Sequence, residues 1–269
     1  MKNQIIEYFQ MLTNKNAIIT GSNRGIGKAM VEEFAKNGAN IYACARSQND
    51  EFEKHLNNLS TKYKVWIKPI YFDLSDSLAM KEGFKKICSD KQIIDILVNC
   101  AGVAHGGLFQ MTPISKIKEI FEINFFSQME FTQLILKIML RQKRGNIINF
   151  SSIAGLDLKV GNCAYGVSKA AVSAWTKAIS AELAPYGIRV NAIAPGPTDT
   201  DMTMFMDKKA VIDGIESSAM KRLATPLEIV EVALFLASDK SSFINGQTIR
   251  VDGGSGVLFP QSNIKGESK

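Results

Sequence analysis

The sequence predicts an α/β fold in which one doubly wound parallel sheet of about seven strands is covered by helices on both faces. Three observations predict it. Short apolar runs alternate along the chain with longer stretches of helical periodicity, the order of strand–helix–strand units. Several of the runs, such as Ile94-Asp95-Ile96-Leu97-Val98, are apolar almost throughout instead of alternating, as strands buried on both faces must be. No linker, repeat or low-complexity segment divides the 269 residues. Residues 1–254 are therefore expected to form one domain, followed by a polar tail at 255–269.

Taken in order, the first strand is expected at 16–20, then a Gly-rich turn, a helix at 26–37 and a second strand at 40–45. Further apolar runs place strands at 66–72, 94–99, 146–150, 189–194 and 248–251. Apolar residues recur at helical spacing most clearly over 115–140, 165–184 and 226–238,. Residues 200–220 carry no clear strand and are expected to form a mobile flap over a site.

Composition narrows the function classes. Hydrophobic residues make up 46% and charged residues 22%, an ordinary balance for a soluble globular protein. The four cysteines, Cys44, Cys88, Cys100 and Cys163, form no C-x-x-C pair, which suits reduced thiols in a cytoplasmic protein. The two histidines, His55 and His105, have no metal-ligand spacing. No metal site is expected, and a Ser-His-Asp hydrolase is disfavoured. The N-terminus lacks the pattern of a signal peptide, and the apolar run at 134–140, interrupted by Lys137, is too short to span a bilayer,. No membrane or nucleic-acid partner is expected, because the net charge of +6 comes without a long basic run,. That surplus is either a generally basic surface or a complement to a phosphate-bearing ligand or acidic partner.

The first informative motif is Thr20-Gly21-Ser22-Asn23-Arg24-Gly25-Ile26-Gly27, between the first strand and the first helix. Glycines let a backbone turn tightly and approach a pyrophosphate, and the helix N-terminus offers free N–H groups with the positive end of its dipole. A Gly-rich turn that binds nothing has the same composition, so position after strand one carries much of the argument. The second is Tyr165 with Lys169, four apart at the start of a long helix and so on one face. A free tyrosine has a pKa of about 10, and a neighbouring ammonium is expected to lower it toward working pH, making a proton donor and acceptor. Ser152, at the end of the fifth strand, can hydrogen-bond a substrate oxygen as charge develops there. Taken singly, Y-x-x-x-K pairs also occur on solvated helices.

The pattern T-G-x-x-x-G-I-G, with Ser152, Tyr165 and Lys169 in order, resembles the short-chain dehydrogenase/reductase family. The resemblance runs from about residue 12 to Gly254 and implies a Rossmann-type domain and hydride transfer between nicotinamide and a carbonyl or secondary alcohol. It implies Ser152 over Ser151 as the substrate-facing hydroxyl. It implies that Asn124 holds a water linking Lys169 to solvent, although an Asn in an apolar helix also serves as a core hydrogen-bonding group.

For the cofactor, the resemblance implies contacts from Gly21, Ser22, Asn23, Arg24, Gly25, Ile26 and Gly27. Where many NAD enzymes carry an acidic residue this chain has Ala45, then Arg46 and Ser47. With Arg24, they favour a 2′-phosphate and hence NADP(H). Asp73-Leu74 corresponds to the adenine contact, although Asp73 reads equally as a turn or N-cap residue. Asn99, Ala101 and Gly102 match the segment after strand four, with Asn99 also readable as a sheet-bracing residue and Cys100 departing from the family's Asn. Pro195, Gly196, Thr198 and Thr200 correspond to the contacts with carboxamide and diphosphate, with Tyr165 and Lys169 on the ribose side.

Among family members the chain looks most similar to 3-oxoacyl-[acyl-carrier-protein] reductases, through residues 191–203 and 223–254. The resemblance implies a small carbonyl or alcohol substrate carried on an acidic protein, with Lys143 and Arg144 as candidate contacts. Tyr186 departs from that pattern. A sugar, polyol or other small ketone remains an alternative, as does a non-catalytic NADP-binding scaffold. The resemblance also implies a homotetramer paired through the helices at 115–140 and 165–184.

Overall fold

The apolar runs pair as parallel strands. The structure, a computed structural model, describes residues 10–204 and 208–256. In it β1 (Asn16–Thr20), β2 (Asn40–Ala45), β3 (Ile67–Tyr71), β4 (Ile96–Asn99), β5 (Gly145–Phe150), β6 (Ile188–Pro195) and β7 (Thr248–Val251) form a 7-stranded sheet in the order β3-β2-β1-β4-β5-β6-β7. Every neighbouring pair is parallel. Ala17 lies opposite Ile41 on one side and Ile96 on the other. The connections are α1 (Gly25–Lys36), α2 (Asp50–Tyr63), α3 (Ser77–Ser89), α4 (Ile114–Phe121), α5 (Ser127–Gln142), the single-turn α6 (Ile153–Asp157), α7 (Cys163–Leu183), α8 (Asp201–Met204), α9 (Lys208–Ser217) and α10 (Pro226–Ala237).

After β3 the chain returns past β1 to lay down β4 on its other side. The connections leaving β1 and β4 therefore diverge, and a crevice opens at the carboxyl ends of these strands, where doubly wound sheets bind ligands. Both faces are covered. On one, Met30, Val31 and Phe34 of α1 and Ile229, Val230 and Ala233 of α10 pack on Ile19, Ala43, Val98 and Ile148. On the other, Met80 and Ile87 of α3 and Phe131, Ile135 and Met139 of α5 pack on Ile18, Tyr42, Leu97 and Ile147. Each of the Val, Leu, Ile, Phe and Met side chains among them, fully buried, contributes about 1.5–3 kcal/mol of transfer free energy. No helix among the described residues is long and apolar enough to cross a membrane.

The structure departs from the sequence reading in several places. β4 starts at Ile96 instead of 94, and Asp95 just before it accepts from the Asn16 amide at 2.9 Å. The helix expected over 115–140 is interrupted by a π-helical turn, Glu122–Phe126, between α4 and α5. Such single π-turns sit inside otherwise regular helices, and apolar spacing on either side still reads as helix. The expected flap at 200–220 contains two helices, α8 and α9. Of the tail, only Ser255 and Gly256 lie among the described residues.

Candidate active site at the switch point

The Gly-rich turn folds as its glycines require. Gly21 and Gly25 have φ of 72° and 52°, and a Cβ on Gly27 would lie 2.1 Å from the Gly21 carbonyl oxygen. Arg24 is the N-cap of α1 but makes no side-chain capping bond, and the first turn carries no acidic residue. The helix thus presents N–H groups and a positive dipole end to the cleft without a carboxylate to neutralise them. This surface fits a pyrophosphate. A Cβ on Gly21 would also meet Ala101 Cα at 2.9 Å, so the loops after β1 and β4 pack backbone to backbone. The Thr20 hydroxyl staples them, accepting from the Cys100 and Ala101 amides at 3.0 and 3.1 Å.

One continuous cleft of about 1110 Å³ runs along these carboxyl ends. It exceeds the ~300–1,000 Å³ typical for one drug-sized ligand, leaving room for a dinucleotide and a substrate together. Of the residues read from sequence, Gly21, Asn23, Arg24, Gly25, Ile26, Gly27, Arg46, Asp73, Leu74, Ala101, Gly102, Ser152, Tyr165, Lys169, Pro195, Gly196, Thr198 and Thr200 line it. At its adenosine-type end β2 stops at Ala45 and the exposed Arg46 follows. Asp73 makes a tight turn, accepting from the Ser75 amide at 2.9 Å and hydroxyl at 2.7 Å. Those bonds, with Arg46 nearby, hold its carboxyl below the usual range. Asp76, not Asp73, caps α3.

Four sequence-predicted residues lie elsewhere. Ser22 is fully buried, its hydroxyl donating to Ile19 O at 2.7 Å and its amide to Cys44 O at 3.0 Å, so it shapes the loop from behind. Asn99 is fully buried in the sheet, donating to Thr132 Oγ1 and Asn149 Oδ1 at 2.9 and 2.8 Å, which matches its bracing reading. Ser47 is exposed beside the cleft and is not among its lining residues. Asn124, buried in the π-turn, clamps Val103: Oδ1 accepts from its amide at 2.8 Å and Nδ2 donates to its carbonyl at 2.9 Å. Its link toward Lys169 is indirect. A Cβ on Gly102 would sit 3.1 Å from Asn124 Oδ1 and 3.4 Å from Lys169 Nζ, so the two flank one spot.

Ser152, Tyr165 and Lys169 converge. The Ser151 hydroxyl is held by Lys169 O and Ser173 Oγ, each at 2.8 Å, which leaves Ser152 as the hydroxyl interacting with Tyr165. Lys169, 4% exposed, donates to Phe150 O at 2.8 Å, and burial lowers its pKa to about 8. The Lys169 ammonium does not lower the Tyr165 pKa as its spacing suggests. Burial raises the Tyr165 pKa, and the side chain that pulls it down is Ser152. A lysine bound to a carbonyl and reluctant to hold its own proton in a dry site exerts less pull than spacing suggests.

Several lining residues have no sequence signal: His105, Leu108, Val160 and Asn162, together with Asp157 at the end of α6. They lie on two loops joined by the bond from Gly107 N to Gly161 O at 2.8 Å, a tertiary contact with no local signal. Lys143 and Arg144 do not face the cleft. They precede β5, and in an all-parallel sheet the amino end of a strand lies opposite the crevice. Arg144 instead pairs with Asp95 at 2.9 Å.

A model of the family described as enoyl-(acyl carrier protein) reductase matches residues 21–256. The chain belongs to the short-chain dehydrogenase/reductase family. The 3-oxoacyl-[acyl-carrier-protein] reductase of Thermotoga maritima is 35% identical over 245 residues, 90% of this chain and 98% of that protein. The 3alpha-hydroxysteroid dehydrogenase of Mediterraneibacter gnavus is 34% identical over 247 residues, 91% and 98% of the two chains. The structure of a 7 alpha-hydroxysteroid dehydrogenase complexed with NADH and 7-oxo glycochenodeoxycholic acid superposes with a TM-score of 0.84 at 29% identity, covering 92% of this chain and 96% of that one. As a short-chain dehydrogenase/reductase, the chain is an oxidoreductase of CH–OH and carbonyl groups that uses a nicotinamide dinucleotide.

Proposed function

We propose that this chain is an NADPH-dependent cytoplasmic reductase of 3-oxoacyl thioesters carried on acyl carrier protein, with Tyr165 as the proton donor. The observation that carries the chemistry is the convergence of Ser152, Tyr165 and Lys169 at one end of the cleft whose other end is the Gly-rich turn. A nicotinamide cofactor supplies the hydride when bound. The protein residues do the rest. Ser152 holds the carbonyl oxygen beside the Tyr165 hydroxyl, and Tyr165 delivers a proton to that oxygen as negative charge develops. Lys169 orients the nicotinamide ribose and recharges the proton path, and Asn124 holds the loop that frames Lys169. At the other end Gly21, Asn23, Gly25, Ile26 and Gly27 cradle the diphosphate. Asp73 and Leu74 receive the adenine, while Thr198 and Thr200 close on the diphosphate and carboxamide.

The preference for NADPH rests on Ala45 and Arg46 at the tip of β2, with Arg24 across the turn. A guanidinium there complements a 2′-phosphate, and no carboxylate repels it. The carrier-protein substrate rests on the 3-oxoacyl reductases among the relatives. Because Lys143 and Arg144 lie at the wrong end, Lys159 at the cleft mouth takes their place as the cation facing an acidic carrier,. The hydroxysteroid dehydrogenase relatives favour a second reading, a fused-ring ketone or alcohol.

Steady-state kinetics with NADPH and NADH decides between them. Acetoacetyl-acyl carrier protein should give the highest kcat/KM among carrier-bound thioesters, steroids, sugars and polyols. Arg46→Ala should narrow the NADPH preference about tenfold, the value of one exposed charged hydrogen bond. Tighter binding of NADH than NADPH by the native protein would overturn the cofactor assignment, and a steroid or polyol outrunning the thioesters would overturn the substrate.

A further inference from the structure

Arg250 stands on β7, the edge strand, and belongs to none of the motifs. Its guanidinium is nonetheless the most heavily engaged cation near the cleft. Nη1 and Nη2 donate to Asp157 Oδ1 and Oδ2 at 2.7 and 3.1 Å. Nε donates to Asp252 Oδ2 at 2.8 Å, and Nη2 also to Ser255 O at 2.9 Å. A single exposed ion pair contributes little. This one is a fork-to-fork pair extended to a second carboxylate and a carbonyl, a geometry that only the planar guanidinium provides. It holds the Asp157 carboxyl below the usual carboxylate range.

Each partner leads to one wall of the cleft. Asp157 is the last residue of α6, and Ser152 is its N-cap, accepting from the Ala154 amide at 3.2 Å. That helix packs backbone to backbone on α7 at Gly155, where a Cβ would lie 2.6 Å from Ala170 N and Lys169 C. Ser255 precedes Gly256, whose amide reaches Ser217 O at 3.4 Å, and Ser218 donates to Gly253 O at 2.9 Å. Ser217 ends α9, the helix that brings Val211 and Gly214 to the cleft.

We propose that Arg250 is a positioning residue for this active site. Through Asp157 it fixes the helix that carries Ser152, and through Ser255 it fixes the base of α9, so both walls keep their spacing around Tyr165. The inference rests on the reading of Ser152 and Tyr165 as the proton-transfer pair, and extends it to residues at the β7 edge of the sheet.

The test uses the full-length protein with Arg250→Met, Asp157→Asn and the double variant, and Tyr165→Phe as a control. Amide exchange is followed by mass spectrometry, NADPH binding by fluorescence, and rates with an acetoacetyl thioester. In Arg250→Met, exchange should accelerate over 151–158 and 211–218 and stay native over 16–36. The value of kcat/KM for the carbonyl should fall about 10²-fold, the effect of a displacement near 1 Å, with NADPH affinity within twofold of native. Asp157→Asn added to Arg250→Met should cost little more, because the two act as a unit. Should Arg250→Met fail to fold, Arg250→Lys and Asp157→Asn carry the same comparison, since a point charge cannot hold both carboxylates and the carbonyl together. Native exchange over 151–158, or a rate within twofold of wild type, overturns the proposal. A Tyr165→Phe protein with native rate would instead remove the proton-transfer reading, and the exchange result would still judge Arg250.

Discussion

At the scale of single residues, the site divides labour between a tyrosine that burial keeps protonated and a lysine that burial makes reluctant to hold its charge. Tyr165→Phe keeps the ring and removes the hydroxyl. We expect the fold and NADPH affinity to be retained and kcat to fall by about 10²–10⁴, the worth of general acid catalysis. A variant keeping more than about a tenth of native kcat with chemistry rate-limiting would contradict the assignment. Lys169→Ala should damage both rate and cofactor affinity. Lys169 also gives stability a pH dependence. Its pKa falls from 10.5 unfolded to about 8 folded, so between those values the unfolded chain binds more protons and stability rises with pH. The rise has an upper bound of about 3 kcal/mol. Urea midpoints between pH 8 and pH 10 should show this slope in the native protein and a flatter one in Lys169→Met.

At the scale of elements, two glycines separate binding from chemistry. Gly27 lets the first turn of α1 close on the Gly-rich turn, and Gly155 lets α6 lie against α7. An added methyl has no room at either place: the nearest atoms are backbone, 2.1 and 2.6 Å away. Overpacking of this kind costs about 1–3 kcal/mol. Gly27→Ala should chiefly weaken NADPH binding, because it deforms the cradle. Gly155→Ala should chiefly lower kcat, because it pushes Ser152 away from Tyr165. Titration and kinetics on the two proteins would test this, and equal effects on both parameters would remove the division.

At the scale of the whole molecule, several large apolar side chains are exposed. Ile114 at the start of α4, Phe126 in the π-turn and Val167 on α7 are solvent-facing, and so is Phe243 ahead of β7. Contiguous apolar area on a monomer signals an interface. We expect a homotetramer paired through α4, α5 and α7. Sedimentation at micromolar concentration should find the tetramer, and a monomer there would refute it.

The amino-acid sequence by itself determined the order of strands and helices, the Gly-rich turn and the Tyr165–Lys169 pair, because each is written in local spacing: apolar runs, glycines before a helix, two polar residues one turn apart. What lay beyond it depended on contacts between distant segments. The buried bonds of Ser22 and Asn99, the clamp of Asn124 on Val103, and the bonds that tie the Ser151 hydroxyl to α7 follow from which neighbours the sheet order brings together. The position of Lys143 and Arg144 away from the cleft follows from the common direction of the strands, which no single segment reports. Likewise the Tyr165 pKa follows from burial, and burial exists only once β5, α6 and α7 have closed around it. Arg250 meets Asp157 across 93 residues of chain, a distance over which sequence carries no local signal and only packing decides.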